Sequence, residues 1–212
     1  MTNNNMYFIA NWKMFGSFES VNSINKVIAY SKTNKFKKAK IIYCPPYTLL
    51  KAFVEKTKKT KIQIGAQDCH TEPDYGPYTG AINSKMIKNL GCKFVIIGHS
   101  ETRAENDNKK INMKIKSALK SNLNVILCIG EKFIDKKKNK TKIVLKRQLQ
   151  EALINIKNLD KIIIAYEPIW SIGTGIIPEP KDLLKNINFI KDTLKKSKRF
   201  RKSKVLYGGS VN

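Results

Sequence analysis

Seven short apolar runs, rich in Ile, Val, Tyr and Phe, punctuate the chain at Met6–Ala10, Lys40–Cys44, Lys61–Ala66, Lys93–Ile97, Asn124–Ile129, Lys161–Tyr166 and Lys204–Tyr207. Each has the length of a strand rather than a helix. They are nearly continuous rather than alternating, the pattern of strands covered on both faces. Longer amphipathic stretches separate them. Ser17–Lys32 puts Val21, Ile24, Val27 and Ile28 on one stripe, and Thr48–Thr60 follows a double proline, a common helix entry. Glu105–Ser121, Thr141–Lys157 and Pro180–Lys196 carry their apolar residues at a spacing near 3.6. Alternating strand and helix predicts an α/β fold with parallel strands and covering helices.

The 212 residues, 42% apolar and 9% aromatic, suit one domain over 1–212 with a sizeable core. The formal net charge of +25 raises a polyanionic partner, either nucleic acid or an anionic membrane. Of the 41 basic residues only Arg103, Arg147, Arg199 and Arg201 are arginine, leaving 37 lysines scattered along the chain. Recognition of phosphate and base edges favours arginine forks. The charge therefore reads as compositional bias on solvated faces, with no specific nucleic-acid site expected. Cys44, Cys69, Cys92 and Cys128 form no Cys-x-x-Cys pair, and His70 and His99 are the two histidines, so no metal site is expected. Buried free thiols are expected instead. Met-Thr-Asn-Asn-Asn opens without a basic region, and no run of about 20 apolar residues follows. The expected setting is a reducing cytoplasm, with no membrane contact.

Parallel strands of this kind present their chemistry at their C-terminal ends. After the first run comes Asn11-Trp12-Lys13, after the fourth Gly98-His99-Ser100-Glu101, after the sixth Glu167-Pro168-Ile169-Trp170-Ser171-Ile172-Gly173-Thr174-Gly175, and after the seventh Gly208-Gly209-Ser210. A carboxylate, an imidazole, an ammonium and two glycine-rich turns thus converge on one rim. Taken singly, His99 could be a satisfied turn histidine, Lys13 one more solvated lysine, and Gly208-Gly209 a tight turn as readily as an anion cradle. Glu167 is sharper. Set between an apolar strand and a Pro-Ile-Trp segment, it should be partly desolvated and its pKa raised toward that of a useful base.

Those blocks, with Ile126-Leu127-Cys128-Ile129-Gly130-Glu131 and Tyr207-Gly208-Gly209-Ser210-Val211, resemble the signature segments of the triosephosphate isomerase family, in order and over the whole chain. The resemblance implies a (β/α)8 TIM barrel with about seven βα units present here. It implies an isomerase of glycolysis and gluconeogenesis that needs no cofactor. It interconverts dihydroxyacetone phosphate and D-glyceraldehyde 3-phosphate through an enediol(ate). Glu167 resembles the base, His99 the neutral imidazole, and Lys13 with Asn11 the pair that stabilises charge on the substrate. Gly173 and Ser210 resemble phosphate-binding positions, Pro168–Gly175 a lid, and Ser100 and Glu101 supporting residues, Glu101 near Lys13. Asp68–Gly80 resembles a protruding loop that enters a partner subunit, with Thr79 at its tip, so a homodimer is expected.

Two departures stand out. Ala81 replaces a family Glu and Thr102 a family Arg, a charged pair lost together, which implies a repacked interface. The family is also expected to run about 35 residues further, supplying an eighth strand, an eighth helix and a second Gly-Gly turn. Without them an open seam between first and seventh strands is expected, in a truncated length of a longer protein rather than a degraded variant. The alternative reading is an incomplete barrel of little activity that binds phosphate or polyanions. Another phosphate-binding barrel enzyme is disfavoured by the Glu167–Gly175 segment.

Overall fold

The computed structural model describes residues 6–33, 38–196 and 204–209. Seven strands form one sheet in the order of the chain: β1 (Met6–Asn11), β2 (Ala39–Cys44), β3 (Gln63–Ala66), β4 (Phe94–Ile97), β5 (Asn124–Ile129), β6 (Ile162–Tyr166) and β7 (Lys204–Tyr207). Every neighbouring pair is parallel. The sheet curls into a nearly closed barrel, a TIM barrel, with a seam between β1 and β7. At one end of that seam Lys204 donates to the Tyr7 hydroxyl at 2.5 Å.

Strand parity explains why the runs carry no polar alternation. Ile42 and Cys44, Phe94 and Ile96, Ile126 and Cys128, and Ile163 and Ala165 form one buried cluster inside the barrel. The residues between them, such as Val95, Leu127 and Ile164, join the helices in a second cluster outside it. Both faces are apolar because both are covered. The same period of two aims the next inward positions, Glu167 after Ala165 and Asn11 after Ile9, at the barrel mouth.

Among the described residues seven helices cover the sheet: α1 (Ile24–Ser31), α2 (Leu50–Thr57), α3 (Ser84–Asn89), α4 (Asn108–Lys120), α5 (Phe133–Lys137), α6 (Thr141–Ala152) and α7 (Pro180–Lys195). Several are shorter than their periodicity suggests. The stretches 17–32 and 48–60 each begin with a 3-10 turn, at Glu19–Ser23 and Tyr47–Leu49. α4 begins at Asn108 rather than Glu105 because the Asp107 carboxylate caps the Lys110 N–H at 2.8 Å. α6 ends before Lys157, where Asn155 turns left-handed at φ 58. No helix is predicted at 84–89 or 133–137, yet both segments form short helices. α3 is started by Asn83, whose side chain accepts from the Met86 N–H. It is held by Ser84, which bonds Ser117 of α4 and Ser121 just after it. All four cysteines are free and buried.

Candidate active site

The mouth of the barrel opens into a cavity of about 620 Å³, lined at its rim by Asn11, Lys13, His99, Glu167, Gly173 and Gly208. β1 delivers Lys13 in an unusual backbone state, with φ 53. A non-glycine residue in the left-handed region stores roughly 1–3 kcal/mol and persists only where its surroundings hold it. Here the Asn11 side chain accepts from the Lys13 N–H at 3.0 Å. Gln67, the residue after β3, donates to the Lys13 carbonyl at 2.8 Å and to the Cys44 carbonyl at 2.9 Å. The Lys13 ammonium meets Glu101 at 2.7 Å.

β4 delivers His99. Its Nδ1 accepts the Glu101 backbone N–H at 3.3 Å, so that nitrogen carries no proton and Nε2–H is left to donate into the cavity. Nδ1 also lies 3.5 Å from a Glu101 carboxylate oxygen, a contact that would be an ion pair only for a charged ring. Burial holds the imidazole below its ordinary pKa, Lys13 acts in the same direction and Glu101 opposes them. The ring is therefore neutral near pH 7. The residues after His99 form tight turns, with Thr102 and Arg103 donating back to the His99 carbonyl.

β6 delivers Glu167, whose side chain is 12% exposed. One oxygen, Oε1, accepts the Cys128 thiol at 3.2 Å. The other, Oε2, is buried without a hydrogen bond and lies 3.8 Å from His99 Nε2. Burial pushes the carboxyl up to about 7, against the opposing pull of the Cys128 thiol, Lys13 and Arg103. Two glycines make room for it. A Cβ on Gly208 would come within 3.0 Å of the Glu167 side chain, and one on Gly130 within 1.8 Å of its carbonyl oxygen.

Beyond Glu167 the chain makes a 3-10 turn at Ile169–Ser171, then runs exposed through Gly173 and Gly175, both at positive φ. Trp170 anchors this segment by donating to Glu131 at 2.9 Å, beneath the Lys136 ammonium 3.8 Å from its ring. Ser171 and the Tyr207 hydroxyl lie 3.3 Å apart.

The structure thus brings Asn11, Lys13, His99, Glu101, Glu167 and Gly173 to one mouth. Ser100 sits half-buried in the turn beside His99, and Thr79 is exposed on the 68–80 loop. Ala81 and Thr102 carry no charge between them, and Thr102 turns its hydroxyl to the His99 carbonyl at 3.0 Å. Ser210 lies outside the described residues. Gln67, the Cys128 thiol, Glu131 and Arg103 carry parts of the site that the sequence did not single out. Gln67 follows the third apolar run, so the strand-end rule applied to that run would have found it.

Comparison with known proteins agrees with this geometry. The family model described as triosephosphate isomerase matches residues 6–212. A triosephosphate isomerase of Dictyoglomus thermophilum is 39% identical over 211 residues, covering 96% of this chain and 84% of the relative. One of Aquifex aeolicus is 37% identical over 213 residues, covering 96% and 83%. The crystal structure of triosephosphate isomerase from Bartonella henselae superposes with a TM-score of 0.88 at 33% identity, covering 98% of this chain and 84% of that one. With that match across nearly its full length, the chain belongs to the triosephosphate isomerase family.

Proposed function

We propose that this chain interconverts dihydroxyacetone phosphate and D-glyceraldehyde 3-phosphate, a step of glycolysis and gluconeogenesis, using Glu167 as base and His99 as proton donor. One observation carries the reading: a buried, half-satisfied carboxylate faces a neutral imidazole across 3.8 Å at the mouth of one cavity. Glu167 takes a proton from the carbon beside the carbonyl. His99 donates Nε2–H to the carbonyl oxygen, and the electron pair moves into an enediol(ate). Lys13, with Asn11, stabilises the negative charge that builds on oxygen. His99 recovers a proton from the hydroxyl on the first carbon, whose oxygen becomes the new carbonyl, while Glu167 returns its proton to the adjacent carbon, so the two triose phosphates exchange and both groups are reset. A carboxyl pKa near 7 suits both halves of that cycle.

Gly173, the Gly208-Gly209 turn and Ser210 form the reading's phosphate pocket, with the 168–175 segment as the lid that excludes water. The chain acts as one domain, in the cytoplasm, and as a homodimer. Supporting the dimer, Tyr75, Tyr78 and Thr79 on the 68–80 loop, and Met14 and Phe15 after β1, all lie exposed. Sedimentation equilibrium at micromolar concentration reads that state, and a monomer rules the dimer out. The chemistry is tested in deuterium oxide. Incubated with dihydroxyacetone phosphate, the chain should introduce one deuterium at the carbon beside the carbonyl. Label that persists at the wild-type rate in Glu167→Gln would show that another group is the base.

A further inference from the structure

We propose that Arg103 is a positioning residue for Glu167, its guanidinium fixing the β5 tip beside the base and serving as a positive charge, paired with no carboxylate, that favours the ionised form of the base. The inference rests on the assignment of Glu167 as base.

Three observations support it. First, the guanidinium is placed by neutral acceptors. It donates through Nη1 to the Asn108 side-chain oxygen and through Nη2 to the Cys128 carbonyl, both at 2.8 Å, while Nε is buried without a partner. Among the described residues no carboxylate lies within 4.0 Å of it. A charge held in this way projects its field undiminished, because nothing of opposite sign is bound to it. Second, the Cys128 carbonyl it grips belongs to the residue whose thiol donates to Glu167 Oε1. Arg103 itself stands in the His99 turn, its N–H bonded to the His99 carbonyl at 3.1 Å. One side chain therefore ties the turn carrying the imidazole to the strand tip touching the carboxylate. Third, the contact depends on a glycine. A Cβ on Gly98, at φ +75, would crowd the Cys128 carbonyl at 3.2 Å and Arg103 Nη2 at 3.3 Å.

The charges facing Glu167 sharpen the argument. They are Lys13 after β1, Glu101 and Arg103 in the turns after β4, and the Cys128 thiol on β5, with neutral His99 opposite. Lys13 is bound to Glu101 at 2.7 Å, so the field of one is opposed in part by the field of the other. Arg103 has no such partner. It is also one of only four arginines among 41 basic residues: a planar fork reaches two neutral acceptors at once and stays protonated in a buried place, which an ammonium does less well.

The test is the pH dependence of kcat/KM, measured with glyceraldehyde 3-phosphate for wild type, Arg103→Met, Arg103→Lys and Glu167→Gln. Arg103→Met should move the acid limb up by about one pH unit, the low end of what an opposite charge does to a neighbouring carboxyl. Activity should fall 5- to 10-fold at neutral pH and rejoin the wild-type curve in alkali. Arg103→Lys should bring the limb most of the way back. Because a limb's position does not depend on how much enzyme is folded, poor folding of Arg103→Met leaves the readout intact. Infrared titration of the Glu167 carboxyl, taken as a difference against Glu167→Gln, gives the same shift without turnover. A uniform loss of rate with an unmoved limb makes Arg103 merely structural and overturns the proposal. Full activity of Glu167→Gln instead overturns the base assignment, whatever Arg103 does.

Discussion

Glu167→Gln should make the protein both inactive and, in alkali, more stable. The wild-type carboxyl titrates at about 7 in the fold because burial opposes its charge. In the unfolded chain it titrates near the ordinary Glu value of about 4.3. Between those values the folded state holds a proton that the unfolded state has released. Stability therefore falls as pH rises through this window, and the stabilising protonated form is fully present only below it. At about 1.4 kcal/mol per pH unit, the whole window is worth up to about 4 kcal/mol at pH 8. Glutamine keeps the shape and an oxygen for the Cys128 thiol to bond but carries no charge to desolvate.

The two proteins should melt together at pH 4. At pH 8 the glutamine variant should lead by about 2–3 kcal/mol, or roughly 5–10 °C for a chain of this size. Its kcat should meanwhile drop 10²–10⁴-fold, the usual worth of a positioned base. Thermal melts by circular dichroism at the two pH values, beside a coupled isomerase assay, read both effects. A stability gap that stays constant between pH 4 and pH 8 would refute the claim that the carboxylate is strained by desolvation.

Other substitutions probe the shell. Gly130→Ala puts a methyl 1.8 Å from the Glu167 carbonyl oxygen. The β6 tip must then retreat by roughly 1.5 Å to regain van der Waals contact, and kcat/KM should fall about 100-fold; a change under fivefold contradicts the geometry. Gln67→Leu removes both donors from the Lys13 and Cys44 carbonyls. It should lower stability by about 1–3 kcal/mol in urea and lower kcat/KM as Lys13 loosens; a loss of stability with unchanged kinetics would remove Gln67 from the site. Lys114→Met strips the 2.5 Å partner from Asp68, whose other oxygen is already buried and unbonded. It should cost about 3–5 kcal/mol, and adding Asp68→Asn should recover most of that; a double mutant no better than the single would deny the pairing.

How much of this was legible in the sequence follows from which distances are local. The strands could be read because each is short, apolar on both faces and followed at once by a polar block. Parity then aims Glu167 inward from Ile163 and Ala165, with no need to know the neighbours. α3 was not legible. Six residues cannot display a helical period, and what starts it is a cap at Asn83 and a serine contact to α4, 33 residues away. The Cys128 thiol on Glu167 was hidden for a related reason. It depends on the β5–β6 register, which pairs Cys128 with Ala165, and register is a fact about two segments at once. Lys13 could be placed at a strand end, but its left-handed backbone could not, since Gln67 holds it from another strand.

The same distinction between local and summed quantities settles what the charge of +25 means for the site. Lysines on solvated faces are screened over about 8–10 Å in salt, so their number says little about the field inside the cavity. The described positive groups that oppose the raised Glu167 carboxyl are two, Lys13 and Arg103. Each is fixed by geometry, Lys13 by its turn at φ 53 and Arg103 by two carbonyl-type oxygens. Glu101, acting the other way, also holds Lys13. A base near neutrality therefore emerges from burial set against two placed cations and one placed anion. Altering the surface lysines wholesale should change salt-dependent encounter with a phosphorylated substrate, yet leave the acid limb of kcat/KM where it is.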